Sequence, residues 1–443
     1  MPPRTKNALP APIRLLLILV LVICVGTSVL MLPGMSPGAP LAWNEALFLA
    51  VSALCVTGLS TINPASELTL MGKGALTVLI QLGGIGYIVI AVVVFQFLGR
   101  AVRLTERIEL EDELGMVSAG GVAQLAKRVL FLVLGCELVG ATILFLAWRE
   151  LAPPGVVAAY AFMTSVIAFC HTGFDLLSGS AFFPSGLPTD VVTRSGLVLT
   201  VLAGGMGLPV LFEIGRTLAW RRWSLHTRLT VVGTAALVVG GGLLLWIGEP
   251  AGALHQGPLP EQIVLTIAQA ACSRTAGFAF FDLTTTTATT HLTLVMLMFI
   301  GAGAASTGGG IGVTTFLVLL LGVAAYARRR EQIVIWGRTL GDETFRRAGA
   351  ITTVSLITVT MGAWLLSLTH DVPLDVTFFE SVSAFTTTGL TLGFTPSLNL
   401  FGQMLVCLLM VAGRLGPLTL IFLLSRREDR GSPVRYPEEK VLL

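Results

Sequence analysis

The sequence predicts an all-α integral membrane protein of eight transmembrane helices, laid out as four helix–re-entrant helix–glycine segment–helix repeats about a pseudo-fourfold axis. Three observations predict this. The chain is too apolar for water, its long apolar runs recur eight times, and a short half-apolar stretch ending near a glycine sits inside each successive pair.

The apolarity comes first. Of 443 residues, 54% are hydrophobic and only 12% are charged, with a mean hydropathy of +0.85. A soluble domain carries about 25% charged residues, so a chain this apolar needs the lipid bilayer as its solvent. The net charge of +3 carries no large basic surface, and nucleic acid is not an expected partner.

Apolar runs of the roughly 20 residues that cross a bilayer fall at 13–32, 74–98, 127–148, 194–215, 229–247, 291–325, 348–368 and 400–425. The first lies behind Arg14 and could pass for a signal peptide, but its length and the seven runs that follow mark it as a transmembrane helix. The short stretches at 43–54, 157–170, 261–273 and 376–386 cannot span and are expected to be re-entrant. Cys24, Cys55, Cys136, Cys170, Cys272 and Cys407 all lie in apolar stretches without CxxC spacing, which suits packing rather than a disulfide framework or a zinc site.

Charge placement sets the orientation. With both termini in the cytoplasm, the tails and the loops at 99–128, 216–228 and 326–347 hold 23 of the 28 Lys and Arg residues, as the positive-inside rule requires. The repeats then run over 13–100, 126–218, 228–326 and 347–426, with a cytoplasmic tail at 427–443. The acidic group Glu106, Glu109, Glu111, Asp112 and Glu113 falls in a cytoplasmic loop, as a solvated face or a docking site.

After each short helix the chain reads Val56-Thr57-Gly58-Leu59, His171-Thr172-Gly173-Phe174, Thr275-Ala276-Gly277-Phe278 and Thr387-Thr388-Gly389-Leu390. The glycines are 115, 104 and 112 residues apart. One such tetrapeptide is noise, whereas four in register between paired spans are a strong internal repeat. The chemistry that asks for it is cation dehydration, in which a ring of backbone carbonyls replaces the ion's water. Turning carbonyls toward an axis needs a residue that accepts positive φ, as glycine does. The four short helices would add the negative ends of their dipoles. The sixteen residues are therefore candidates for a K⁺ selectivity filter, in helix–pore helix–filter–helix repeats around a pseudo-fourfold pore. Glycines that only permit close helix packing are the alternative.

The second span of each pair carries Gly84-Ile85-Gly86, Gly205-Met206-Gly207, Gly310-Ile311-Gly312 and, in the fourth, Arg414-Leu415-Gly416. An arginine inside an apolar helix is costly and faces an aqueous path or a partner. Arg414 is expected below the filter, opposing cation passage, or else held by a carboxylate such as Glu137 or Glu213. The sixth span is too long for one crossing, and its centre, 301–312, is half glycine. No helix persists through such a run. Two half-helices joined by a blocking loop, found in the third repeat alone, are expected, with Gly301, Gly303, Ser306, Thr307, Gly308, Gly309, Gly310 and Gly312 as gate candidates. Arg274 is expected to pair with a carboxylate such as Glu380.

Together these residues resemble the Trk/Ktr/HKT superfamily of K⁺ transporters over nearly the whole chain. Eight spans and the tail from Arg435 to Val441 look most like the membrane subunit of the bacterial Ktr systems. The resemblance implies K⁺ uptake across the cell membrane with Na⁺ stimulation, and gating by the 301–312 loop together with Arg414. It also implies a homodimer on a cytosolic nucleotide-binding regulatory subunit, which would carry the nucleotide, since no cofactor is expected in this chain. One departure is His171, where an uncharged polar residue such as Asn is usual. It could titrate near neutrality and repel K⁺, or be a neutral imidazole bonded behind the filter. An alternating-access carrier is the rival transport reading, although such folds usually have two inverted repeats. An enzyme is not expected, because no nucleophile–base pair or facing acid pair is visible.

Overall fold

The computed structural model describes residues 11–86, 122–180, 182–249, 252–255, 257–330 and 332–416. Among them are fifteen α-helices. Grouped by the four sequence copies expected above, the first holds α1 (Ala11–Leu30), α2 (Trp43–Leu54), the single turn α3 (Pro64–Glu67) and α4 (Leu70–Ile85). The second copy has α5 (Val122–Trp148), α6 (Pro154–Phe169), α7 (Val191–Met206) and α8 (Leu208–Arg216). The third has α9 (Leu225–Gly248), α10 (Leu259–Cys272), α11 (Ala288–Ile300) and α12 (Val313–Ala327), and the fourth α13 (Asp342–Thr369), α14 (Leu374–Phe385) and α15 (Leu400–Leu415). A small hairpin of β1 (Ile333–Ile335) and β2 (Arg338–Leu340) joins the last two copies. The acidic loop from Glu106 to Glu113 and the tail 427–443 lie outside the described residues.

The helix starts follow local chemistry. Thr69, Asp190, Thr287 and Asn399 cap α4, α7, α11 and α15 by accepting the N–H of Gly72, Thr193, Thr290 and Gly402 at 3.1, 2.9, 3.2 and 2.8 Å. Each cap satisfies a donor that the first helical turn leaves unpaired. The short helices α2, α6, α10 and α14 are introduced by Ala42, Pro153, Pro258 and Pro373. A proline's fixed φ and missing N–H suit such a start.

Packing runs in a cycle. α4 lies against α6, α7 against α10, α11 against α14, and α15 against α2, so each copy touches the short helix of the next. Outward faces are apolar and open, with Leu21, Phe131, Leu138, Leu199, Val239 and Leu408 largely exposed, as expected of side chains solvated by lipid rather than water. α5 (from Ala126), α9 and α13 are each long and apolar enough to cross a membrane.

The second members of the pairs depart from the expectation of plain spans. α7 and α8 are separate helices bent by 103° at Gly207, so a broken helix is not confined to the third copy. The physical reason recurs four times. Gly86, Gly207, Gly312 and Gly416 have φ of 89, 90, 92 and 83°, where a right-handed helix needs about −63°. Each is the second glycine of the Gly-X-Gly motif, or its Arg-Leu-Gly counterpart. What sets the third copy apart is length. α4, α7 and α15 each run 16 residues to that glycine, whereas α11 stops after 13 and hands over to the loop at 301–312.

Candidate ion-binding site

The short helices end at Cys55, Cys170, Ser273 and Thr386, and the four glycine segments follow at once. Their backbones repeat one conformation. Gly58, Gly173, Gly277 and Gly389 have φ of 92, 70, 72 and 89°. The residue two before each glycine is left-handed as well, with Val56, His171, Thr275 and Thr387 at 59, 62, 76 and 50°. Each segment thus places left-handed residues at alternate positions, a backbone that can line up carbonyls on one side. A non-glycine residue gives up roughly 1–2 kcal/mol in that region, and a β-branched one is an outlier there. Backbone bonds hold the conformation, with the N–H of Thr57, Thr172 and Thr388 donating to Ser52, Ile167 and Ser383 carbonyls at 2.8, 2.9 and 2.9 Å.

The segments close on one another. A Cβ on Gly58 would strike the Thr172 carbonyl, on Gly173 the Ala276 carbonyl at 2.6 Å, on Gly277 the Thr388 carbonyl, and on Gly389 the Thr57 carbonyl. Each glycine is therefore required twice, for its φ and for the approach of the next segment. Thr57, Thr172, Ala276 and Thr388 are fully buried, and Leu59, Phe174, Phe278 and Leu390 nearly so. Thr57, Thr172 and Thr387 each bury a hydroxyl oxygen with no hydrogen-bond partner. Orphaned oxygens of this kind ask for a ligand or water. Beyond the glycines a cavity of about 240 Å³ opens, lined by Phe174, Asp175, Phe278, Leu390 and Thr391 among others.

His171 sits behind its segment, 2% exposed. Nε2 is 2.7 Å from the Val201 carbonyl and Nδ1 is 3.1 Å from Thr275 Oγ1. A carbonyl can only accept, so Nε2 carries a proton and Nδ1 can accept from the threonine hydroxyl. These partners suit the neutral imidazole of the two sequence alternatives.

The 301–312 loop packs directly against the segments. A Cβ on Gly308 would meet Thr275 Oγ1 and stand 3.0 Å from His171 Nδ1, and one on Gly309 would lie 2.5 Å from Thr387 Oγ1 and the Thr386 carbonyl. The loop is pinned by Thr307 Oγ1 to the Phe169 carbonyl at 2.8 Å, Gly303 N–H to the Gly205 carbonyl at 2.7 Å, and Ala302 N–H to the Gly309 carbonyl at 3.1 Å. Gly301 and Gly310 touch, and Gly312 ends the loop; Ser306 Oγ reaches the Gly308 carbonyl at 3.4 Å.

Neither arginine takes the carboxylate partner that the sequence suggested, for Arg274 as its expectation and for Arg414 as the alternative. Arg274 does not pair with Glu380; its Nε and Nη2 donate to the Gly301 carbonyl at 3.2 and 3.0 Å. Glu380 instead accepts from the Thr391 hydroxyl at 2.9 Å and from Thr395. Nor is Arg414 bonded to Glu137 or Glu213. It donates through Nη1 to the Thr307 carbonyl at 3.0 Å and through Nη2 to the Gly83 carbonyl, tying the loop to α4. Glu137 accepts from Gln81 at 2.9 Å and Glu213 from the Ser224 N–H at 2.7 Å. Carbonyls outcompete carboxylates here because loop and helix ends leave them unpaired.

The four segments, the loop and Arg414 singled out in the sequence are brought together in the structure. Sequence reasoning missed Ser52 and Ser383, whose hydroxyls accept the N–H of Gly58 and Gly389 at 3.0 and 3.1 Å. Their shared position six residues before the glycine was the available signal. It also missed Lys73, buried beside the second segment.

A multi-pass helical protein whose buried centre offers backbone and hydroxyl oxygens falls in the class of membrane cation transporters. The TrkH family, described as cation transport protein, matches residues 17–432, and the chain belongs to that family. The Ktr system potassium uptake protein B of Bacillus subtilis (strain 168) is 35% identical over 95% of this chain and 94% of its own. The protein of the same description from Vibrio alginolyticus is 33% identical over 91% and 88%. The potassium/sodium uptake protein NtpJ of Enterococcus hirae is 30% identical over 96% and 95%. The crystal structure of the potassium transporter TrkH from Vibrio parahaemolyticus aligns with a TM-score of 0.71 at 20% identity, covering 96% of this chain and 87% of that one. At that identity the match speaks for the fold. The relatives are transporters, and this chain is not an enzyme.

Proposed function

We propose that this protein takes up K⁺ across the cell membrane through a channel-like pore whose selectivity filter is the ring of four glycine segments. The observation that carries the reading is the cyclic closure of Gly58, Gly173, Gly277 and Gly389 on the carbonyls of the neighbouring segments. Such a ring presents oxygens from four sides to one dehydrated ion, and four helix C-termini aimed at it favour a cation. In this reading the repeats span 13–100, 126–218, 228–326 and 347–426, with eight spans, re-entrant pore helices and both termini in the cytoplasm. The loop at 301–312 and Arg414 are the gate. The loop's contacts with His171, Thr275 and Thr387 support that role, as does the positive charge beneath the ring.

The word system in the descriptions of the Ktr relatives supports a further component; in this reading the protein is a homodimer working with a cytosolic nucleotide-binding regulatory subunit, with Na⁺ as stimulator. NtpJ, described as a potassium/sodium uptake protein, keeps Na⁺ in play as cargo or activator. An alternating-access carrier draws support from the broken α7–α8 pair. The four-way ring favours the pore, since carriers typically place one site between two inverted halves. The test is ⁸⁶Rb⁺ and K⁺ uptake in a bacterium lacking its own K⁺ transporters, with and without Na⁺. Growth rescue with saturable Rb⁺ entry is expected. A chain that reaches the membrane yet moves no Rb⁺ under either condition sinks the proposal.

A further inference from the structure

Three of the four glycine segments are tied by a side chain of the short helix that precedes them. In the first and fourth, Ser52 and Ser383 accept the glycine N–H. In the third, Gln269 of α10 accepts the Phe280 N–H at 3.1 Å and donates to the Phe278 carbonyl at 3.4 Å. Glu380 of α14 adds a second tie in the fourth, through Thr391 and Thr395. The second segment is the exception among the described residues. Ile167 stands six residues before Gly173, where the serines would be, and Ser165 Oγ is engaged by the Glu137 carbonyl at 2.6 Å. Among the described residues Asp175 bonds only within its own turn, accepting from the Leu177 N–H and from Ser178.

The tie for the second segment comes from another copy. Lys73 of α4 is 3% exposed. Its Nζ donates to the Leu176 carbonyl at 3.0 Å, three residues past Gly173, and to Tyr160 Oη at 3.2 Å, standing 5.2 Å over the Tyr160 ring. No carboxylate pairs with it among the described residues. Burying an ammonium against a carbonyl, a phenol and an aromatic face costs several kcal/mol of hydration, and a methionine would fill the same space without that cost. The position also recurs. Lys73, Arg194, His291 and Gln403 each stand four residues after the capping residue of a second helix. Each is on a helix that packs on the next copy's short helix. His291 meets Phe379 edge-on at 6.0 Å, and Gln403 Oε1 accepts from Asn44 Nδ2 at 3.1 Å.

We propose that Lys73 is a positioning residue for ion selectivity, fixing the outer strand of the second filter segment from the neighbouring repeat. The proposal rests on the filter reading above. The test uses the full-length protein in lipid vesicles and reads Na⁺ competition against ⁸⁶Rb⁺ flux separately from maximal flux. Lys73→Met is expected to lower discrimination against Na⁺ by about tenfold, the scale of one hydrogen bond to a charged group, with maximal flux less affected. Lys73→Arg, which keeps charge and donors, restores most of it. Tyr160→Phe removes one acceptor and is expected to cost about two- to threefold, less than a full neutral hydrogen bond. Wild-type discrimination in Lys73→Met, or Lys73→Arg as poor as Lys73→Met, overturns the proposal. Should Lys73→Met not elute as a folded protein, Tyr160→Phe decides, and unchanged discrimination there overturns it. Wild-type protein that carries no Rb⁺ defeats the transport reading instead, before any variant is compared.

Discussion

The ring of glycine segments and the layer beneath it are made from the same four copies and behave in opposite ways. In the ring the copies are nearly equivalent, with glycine φ between 70 and 92° and the residue two before between 50 and 76°. Beneath it they diverge. Two copies keep a 16-residue helix ending Gly-X-Gly, one inserts the 301–312 loop, and one replaces the first glycine by Arg414. An ion that has lost its water needs equivalent oxygens on all sides, so the ring tolerates little variation. A device that opens and closes needs a bistable contact, and inequality supplies one. In the proposed reading the ring is the layer that chooses ions and the one beneath it the layer that admits them.

The largest effect should come from breaking the ring. Gly277→Ser places a Cβ against the Thr388 carbonyl and 3.1 Å from Gly173 Cα, at a φ of +72°. Left-handed strain alone is about 1–2 kcal/mol, and the backbone clash forces both neighbours to move. Discrimination of K⁺ over Na⁺ in competitive ⁸⁶Rb⁺ uptake is expected to fall by far more than the roughly tenfold that this strain alone represents. Retained selectivity at normal expression would remove Gly277 from the filter.

The lower layer should respond in the other direction. Arg414→Ala removes hydrogen bonds from a guanidinium to the Thr307 and Gly83 carbonyls, each worth about 1.5–3 kcal/mol. If they hold the loop closed, losing both shifts the closed-to-open equilibrium by about a hundredfold or more. Rb⁺ flux in vesicles is expected to rise by that order while Na⁺ discrimination stays. Shortening the loop within 302–309 should act likewise. Falling flux in both variants, with protein still in the membrane, would mean that the pair supports the pore rather than obstructing it.

What the sequence disclosed follows from which groups leave a sequence signature. The glycine segments were legible because no other residue fits a left-handed backbone pressed against a neighbour. Val56, His171, Thr275 and Thr387 were not, because nothing in Val or Thr announces a φ that those residues disfavour. The helix ends at Gly86, Gly207 and Gly416 were hidden because a lone Gly-X-Gly also suits a packed helix, and only the triplet at 308–310 stood out. Arg274 and Arg414 were visible as intramembrane charges, but their acceptors are main-chain carbonyls, which every residue carries. The equivalence of Lys73, Arg194, His291 and Gln403 emerges only from the capped helix starts, since outer loops of unequal length blur the spacing.

The smallest effects test how evenly the ring is held. Ser52→Ala and Ser383→Ala remove the same bond, to Gly58 N–H at 3.0 Å and Gly389 N–H at 3.1 Å, worth about 1 kcal/mol net. If bonds simply added, both would lower discrimination alike, by roughly fivefold at most. The fourth segment, however, keeps its second tie through Glu380 to Thr391 and Thr395, and among the described residues α2 offers the first segment no side chain besides Ser52. Ser52→Ala should therefore lose more selectivity than Ser383→Ala, and adding Glu380→Leu, which has no hydrogen-bonding atom, to Ser383→Ala should bring the fourth segment down to the level of Ser52→Ala. Equal losses in the two serine variants would show that Glu380 does not steady the ring, and that the segments are held by their backbone bonds and mutual packing alone.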